Sequence, residues 1–174
     1  MLRFSEESSA LILKGFECGI YAMDDFIHSS LGPFLQSDQR YRLNVVTDNG
    51  LGIVAMFVTS PGVFVSYDDG FEDLPQGKPW SYLDDDSQIQ TGSMYPTLEI
   101  DYLAVRKDVR GRGYGTIIIA ELSNRARESG CFFLTVDAYH VKDYSAIPFY
   151  EKQGFFALQE LSEDYDTLRM ALRV

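Results

Sequence analysis

A glycine-rich loop lies between a predicted strand and a predicted helix, and this succession limits the possible folds more than any other feature. Residues 97–105 predict the strand, and residues 116–129 predict a helix that ends at Gly130. Between them the chain reads Arg110-Gly111-Arg112-Gly113-Tyr114-Gly115. Backbone N–H groups at the start of such a helix lack intrahelical acceptors, and glycine lets them approach an anion closely. The segment therefore predicts an anion site in an α/β fold, with tight helix–strand packing as the alternative explanation of the glycines.

Basic side chains gather around this loop in a protein that is otherwise acidic. The formal net charge is −11, and an acidic chain is a poor general ligand for nucleic acid, because phosphate contacts need Lys and Arg. The first 95 residues hold most of the acidic excess. A local group of cations on an anionic protein indicates one anionic ligand held at one place. The group consists of Arg106, Lys107, Arg110 and Arg112.

The first half of the chain predicts a helix, a hairpin and an irregular segment. Residues 22–31 have the apolar spacing of a helix. Residues 42–47 and 53–59 are rich in β-branched side chains, and the Asp48-Asn49-Gly50 sequence between them is typical of a hairpin turn. Residues 61–96 contain many glycines, prolines and aspartates, which predicts a long irregular acidic segment.

The second half predicts alternating strands and helices. The continuous apolar run at residues 131–136 is typical of a strand that is buried on both faces. Residues 143–152 predict a helix, and Pro148 is expected to bend it. Closing strands are expected at residues 155–158 and 167–172. Strand, helix and strand in this order predict an α/β fold with at least one parallel crossover.

The length and the scarce cysteines indicate one reduced, cytoplasmic domain over residues 1–174. Cys18 and Cys131 are far apart in sequence and are expected to be free thiols, with Cys131 buried. No apolar run approaches the roughly 20 residues of a membrane span, and no signal-peptide pattern begins the chain. His28 and His140 have no metal-ligand spacing, so no metal is expected.

Two motifs together resemble the GNAT superfamily of N-acetyltransferases. The pattern Arg110-x-x-Gly113-x-Gly115 after a strand is similar to motif A of that family. The downstream run Ala146-Ile147-Pro148-Phe149-Tyr150-Glu151-Lys152-Gln153-Gly154-Phe155 is similar to its second signature, in the same order and spacing. The resemblance implies a mixed α/β fold with a mostly antiparallel central sheet, one splayed pair of parallel strands, and flanking helices.

The resemblance also implies acetyl-CoA as cosubstrate. Its pantetheine is expected along Leu103, Ala104 and Val105. Its pyrophosphate is expected on the backbone of Arg110, Gly111, Arg112, Gly113, Tyr114, Gly115 and Thr116. Where the family often has an asparagine, this chain has Asp143, and Ser145 is a substitute for that contact with the cofactor.

Three side chains are candidates for proton transfer. Tyr150 falls on the usual acid of the family, although an aromatic residue packed among others is the alternative interpretation. Glu99 occupies the position of the glutamate base in the histone-acetyltransferase branch. By strand alternation Asp101 shares its face, so a carboxylate pair is expected near the amine. Either carboxylate has the alternative of binding a cationic substrate or facing solvent.

Three hypotheses for the function differ in which molecule, if any, accepts the acetyl group. The acidic first half favours a small cationic amine or a protein amine. The sequences around Phe16-Glu17-Cys18-Gly19 and Met23-Asp24-Asp25-Phe26-Ile27 resemble GNAT toxins that acetylate aminoacyl-tRNA, which is the alternative. A non-catalytic acyl-CoA-binding module is the third. Family members often pair through sheet edges, so a homodimer is a further expectation.

Overall fold

The computed structural model describes residues 1–66, 78–83, 89–162 and 164–174. Their strands are β1 Leu2–Glu7, β2 Arg42–Asp48, β3 Gly52–Ser66, β4 Lys78–Leu83, β5 Ile89–Val105, β6 Phe133–Val141, β7 Tyr144–Ser145, β8 Phe156–Ala157 and β9 Thr167–Arg173. The α-helices are α1 Tyr21–Asp25, α2 Leu31–Ser37, α3 Tyr114–Glu128 and α4 Ile147–Lys152. A π-helical turn, Phe26–Ser30, joins α1 to α2, and 3-10 turns lie at Ala10–Leu13 and Lys107–Val109.

One twisted sheet carries the fold. Its strands lie in the order β1-β2-β3-β5-β6-β9-β8, with β4 paired to β5 and β7 paired to β6. Among the described strands every pairing is antiparallel except that of β5 with β6. The expected mixed, mostly antiparallel sheet with one parallel pair is therefore confirmed. The predicted hairpin is also present, because β2 and β3 pair directly across the turn that follows Asp48.

The parallel strands separate after a short contact. Strand β5 pairs with β6 only from Thr97 to Ile100 among the described residues. Beyond Ile100, β5 stays paired with β3, while β6 pairs with β9. A β-bulge falls at the same point, since Ile100 faces Thr59 and Tyr102 faces Val58, which leaves Asp101 as the extra residue. The divergence and the bulge together open a cleft along the second half of β5.

Three hydrophobic cores occur among the described residues, and the two larger ones cover the two faces of the sheet. One lies under α3 and α4 and contains Ile100, Ile118 and Tyr150. The other lies under α1 and α2, where Ile27 and Leu31 are buried, and contains Ala104 with Tyr102 at its edge. The bulge shifts the in-and-out alternation of β5 by one residue, because Ile100 and Leu103 pack in the same core although they are three residues apart.

The prediction of an irregular segment at residues 61–96 is wrong for the residues of that range that the structure describes. Strand β3 continues to Ser66, and β4 and the beginning of β5 form two further strands. The β-branched and aromatic residues between the prolines and glycines favour strands, and pairing with β5 outweighs the local turn signals. Residues 67–77 and 84–88 of that prediction lie outside the described residues.

The helix predicted at residues 143–152 is shorter than expected. It begins at Ile147, and residues 144–145 instead form the short strand β7. Pro148 therefore lies in the first turn, where a helix needs no N–H donor, so the predicted bend at Pro148 is wrong.

Cys131 is half-buried rather than buried, and both cysteines are free thiols. In the described part of the chain, no helix combines the length and apolar content that crossing a bilayer requires.

Candidate active site

Two adjoining cavities open where β5 and β6 diverge. We call the first the loop cavity: it has a volume of about 360 Å³ and lies against the glycine loop, the end of β5 and α4. The second, the aromatic cavity, has about 500 Å³ and lies between α1, α2, β5 and β6. The residues that line both are Ile20, Met23, Leu103, Tyr144, Ala146 and Tyr150. This shared wall marks the place where groups bound in the two cavities meet.

The loop cavity ends at the N-terminus of α3. Gly111 and Gly113 have positive φ angles of 76° and 86°, which turn the chain tightly into the helix. The first intrahelical bond runs from the N–H of Ile117 to the carbonyl of Gly113, so the three preceding amides have no acceptor within the helix. Their N–H groups and the helix dipole form an anion site at the wall of the cavity.

Gly115 has a packing role beside this site. A Cβ atom at Gly115 would lie 2.9 Å from the ring carbon Cζ of Phe149, so only glycine permits the observed contact of α3 with α4. Gly115 is thus explained by packing, but of helix on helix rather than the helix–strand packing expected as the alternative, while the positive φ angles explain Gly111 and Gly113.

The basic group around the loop is partly neutralised by the protein itself. Arg106 donates to Asp108 at 2.6 Å and to the carbonyls of Leu51 and Ile53 at 2.8 and 2.6 Å. Lys107 is ion-paired with Glu17. These two cations therefore hold the fold together. Arg110 lines the loop cavity, and Arg112 is exposed beside it, so the loop supplies two arginines rather than four cations.

Most of the predicted cofactor residues line the loop cavity. Two do not: Arg112 points outside the wall, and Ser145 uses its hydroxyl to accept the N–H of Ile147 at 3.3 Å, at the start of α4. The predicted residues in the wall are Leu103, Ala104, Val105, Arg110, Gly111, Gly113, Tyr114, Gly115, Thr116 and Tyr150. Sequence reasoning missed Cys18, Tyr144, Lys152 and Gln153, which also line it.

Tyr150 lies at the junction of the two cavities. It projects from α4, is only 5% exposed, and packs edge-on against Phe149 and Phe155 with ring centroids 5.0 and 5.1 Å away. Burial raises the pKa of its hydroxyl above the ordinary value for tyrosine, so the group is a proton donor at neutral pH. Tyr150 is therefore both a core aromatic and a wall of the site.

Glu99 is held in an ion pair that spans three strands. Arg169 of β9 contacts both of its carboxylate oxygens, one of them at 3.0 Å, and lies 3.3 Å from Asp137 of β6. Gly62 of β3 gives this carboxylate its room, since a Cβ there would lie 2.8 Å from Glu99 Oε2. The charge and hydrogen-bonding capacity of Glu99 are thus largely occupied by Arg169.

Asp101, at the bulge, differs from Glu99 in its hydrogen bonds and in its pKa. Its Oδ1 accepts a hydrogen bond from Ser60 at 3.1 Å, whereas Oδ2 is buried and has no hydrogen-bond partner among the described residues. Burial raises the pKa of this carboxyl to about 6, and the charge of Glu99 adds to the shift while Ser60 opposes it. Asp101 is therefore mostly ionised at neutral pH, and it lines the aromatic cavity with one oxygen that no described residue hydrogen-bonds.

The aromatic cavity is lined partly by the first helices and partly by β5 and β6. Phe26, Phe34, Tyr41 and Tyr102 form a continuous group of rings, in which Phe26 stacks on Tyr102 at 4.1 Å. Sequence reasoning did not find these residues, Ser60 or Arg169, because only the tertiary contacts bring them to the site. Neither His28 nor His140 lines either of these two cavities, and no metal-binding group of three side chains occurs among the described residues.

Comparison with known proteins identifies a family for these features. Residues 54–155, more than half of the chain, match the sequence profile described as the acetyltransferase (GNAT) family. No curated protein matches the sequence significantly.

Solved structures share the fold over almost the full chain. The structure of AtaTR bound with AcCoA is 18% identical with a TM-score of 0.65, and the alignment covers 98% of this chain and 93% of that one. The KacTA–DNA complex is 20% identical with a TM-score of 0.60, at 98% and 93% coverage. AtaT complexed with acetyl-methionyl-tRNAfMet is 17% identical with a TM-score of 0.63, at 97% and 94% coverage.

Proposed function

The chain belongs to the GNAT family of acetyltransferases, and we propose that it transfers the acetyl group of acetyl-CoA to the nitrogen of a primary amine by direct attack. One observation carries the proposal. A loop cavity suited to an anionic donor and an aromatic cavity with an ionised carboxyl meet at Tyr150. A donor and an acceptor bound in these cavities would have their reacting groups side by side.

The residues of the loop cavity fit acetyl-CoA, which supplies the activated acyl group as a thioester. The amides at the start of α3 and the side chain of Arg110 would hold the pyrophosphate, because both favour phosphate oxygens. The backbone of Leu103 and Val105, which β6 does not pair with after the two strands diverge, would pair with the amides of the pantetheine arm. The reactive end would then lie against Tyr150.

Proton transfer in this proposal uses two side chains. Asp101 takes a proton from the ammonium form of the acceptor, directly or through one water, because a protonated amine cannot attack a carbonyl. The freed nitrogen lone pair forms the C–N bond while the C–S bond breaks. Tyr150 gives its hydroxyl proton to the departing sulfur, and its phenolate takes the second proton that the nitrogen loses as the amide forms. Asp101 then releases its proton to solvent. Oδ2 of Asp101, buried without a partner, supports its role as the base.

Glu99 is a weaker candidate for the base than strand position alone indicates. Its carboxylate is held by Arg169, so accepting a proton would break a charge-assisted pair. Both carboxylates line the aromatic cavity, and Glu99 also influences Asp101 through its charge. We therefore assign proton acceptance to Asp101 and a positioning role to the Glu99–Arg169 pair.

Acetylation of aminoacyl-tRNA is the second candidate function. A relative of similar fold was solved with acetyl-methionyl-tRNAfMet, and its likeness extends over nearly the whole chain. The net charge of −11 opposes a polyanion, and two of the four cations near the loop are engaged within the protein. A free amine or a protein amine is therefore our first choice. The groups suited to catalysis favour an enzyme over a binding module.

Release of CoA thiol tests the proposal. The full chain is mixed with acetyl-CoA and, separately, with small amines, lysine-containing peptides and aminoacyl-tRNA, and the acetylated product is identified by mass spectrometry. We expect thiol release that depends on an amine, with the acetyl group on nitrogen. Binding of CoA without acceptor-dependent thiol release would contradict the enzymatic function. Transfer to charged tRNA alone would select the second candidate.

A further inference from the structure

We propose that the acceptor is a small monoamine with an aromatic or apolar body, rather than a polyamine or another multiply charged amine. This inference rests on the proposed function, and it concerns the substrate class of the same site. Two features of the aromatic cavity support it: the rings that form its wall, and the distribution of its carboxylates.

One side of the cavity is built from stacked and edge-packed rings, which come from the first helices, from the residue before β2 and from β5 itself. Phe26 lies on Tyr102, and Phe34 contacts both Tyr102, at 5.2 Å, and Tyr41, at 4.0 Å. These contacts hold the rings in place, so they present a fixed apolar surface. Such a surface stabilises an apolar or aromatic body by removing it from water, whereas a flexible polar chain gains little there.

The carboxylates of the cavity are not equally available. Arg169 contacts both oxygens of Glu99 and one oxygen of Asp137, so a second ammonium group of a substrate would meet a guanidinium beside either carboxylate. Asp101 is different, because its buried Oδ2 has no partner among the described residues. One free carboxyl beside an aromatic wall fits one ammonium attached to one apolar body.

The size and position of the cavity agree with a small acceptor. A volume of about 500 Å³ accommodates an arylalkylamine, and small-molecule sites commonly fall in this range. Asp101 and Tyr150 both line it, so the proton acceptor and the proton donor of the proposed reaction border the space in which the amine would bind.

Steady-state acetylation of 2-phenylethylamine, spermidine and a lysine-containing peptide tests this inference with the full chain. We expect kcat/KM for 2-phenylethylamine to exceed the values for the other two by about tenfold or more, since apolar discrimination in a pocket reaches this size. Each assay is run at the same acetyl-CoA concentration, and thermal melting checks that every variant is folded.

A matched pair of variants locates the effect. Phe26→Leu removes a ring of the wall, and we expect the preference for 2-phenylethylamine over spermidine to fall by about tenfold with the KM for acetyl-CoA unchanged. Phe4→Leu removes a ring that packs on Phe57 and lines neither cavity, so the preference should not change.

The outcomes separate this inference from the function on which it rests. Equal or better acetylation of spermidine or of the lysine peptide would overturn the substrate class and leave the N-acetyltransferase intact. Acetylation of aminoacyl-tRNA with none of the free amines accepted would do the same. Acetyl-CoA binding without transfer to any acceptor would contradict both.

Discussion

The ring of Tyr150 packs in the hydrophobic core, and only its hydroxyl is proposed to take part in catalysis. Tyr150→Phe keeps the ring and its packing on Phe155 but removes the proton donor. We expect kcat to fall by about 10²-fold with the KM for acetyl-CoA nearly unchanged, because acid catalysis contributes on this order. Tyr21→Phe, at a site 87% exposed, is the matched control and should leave both constants as they are. A Tyr150→Phe enzyme of full activity would exclude this acid.

Asp101 and Glu99 are distinguished by what holds them, and their amide variants should differ accordingly. Asp101→Asn is expected to lower kcat/KM by about 10²-fold, while Glu99→Gln, which only disturbs the Arg169 pair, should cost less. The reverse order would return the base to Glu99.

The pH profile follows from the state of Asp101. Its pKa is raised to about 6, and only the ionised form accepts a proton, so kcat/KM should rise with pH up to a plateau above about 6. A primary amine stays protonated below about pH 8, so this rising limb of the kcat/KM profile reflects ionisation of a group on the enzyme and not of the amine. Ser60→Ala removes a hydrogen bond that lowers this pKa and should move the limb to higher pH. A limb that does not move in Ser60→Ala would argue against Asp101 as the titrating group.

At the scale of elements, the contact of α3 with α4 joins the anion site to Tyr150. Gly115→Ala puts a Cβ 2.9 Å from the Phe149 ring and should destabilise the protein by about 1–3 kcal/mol through overpacking. Because α4 carries Tyr150, kcat should fall as well. Gly32→Ala in α2 is the control: no atom lies within 4 Å of the added Cβ, so we expect about 0.5–1 kcal/mol of stabilisation. Urea unfolding and turnover measure both effects, and equal stabilities would contradict this packing role.

The elements also show which parts of the site depend on local sequence. The helix after Gly113 follows from short-range signals and was predicted to within two residues at each end, whereas the strand before the loop ends at Val105 as predicted but begins eight residues earlier, at Ile89. The pairing of Glu99 with Arg169 could not be predicted in this way, since 70 residues separate them and only the register of β5, β6 and β9 brings them together. The bulge at Asp101 likewise depends on pairing with β3, so simple alternation misjudged its surroundings.

For the molecule as a whole, we expect binding of the acetyl donor to raise the free energy of unfolding, because the loop cavity joins α3, α4, β5 and the segment before α1. A ligand that binds only the folded state at 100 times its Kd stabilises by about 2.7 kcal/mol. For a chain of this size that corresponds to a rise in Tm of roughly 5–10 °C. We expect this rise with CoA by differential scanning fluorimetry, and a smaller one at equal CoA concentration for Arg110→Gln, which removes the arginine at the cavity wall. Arg3→Gln, in β1 and outside both cavities, is the control for charge alone, since it changes the net charge by the same amount. An equal loss of the CoA effect in both variants would show that general charge, rather than the loop, attracts the donor.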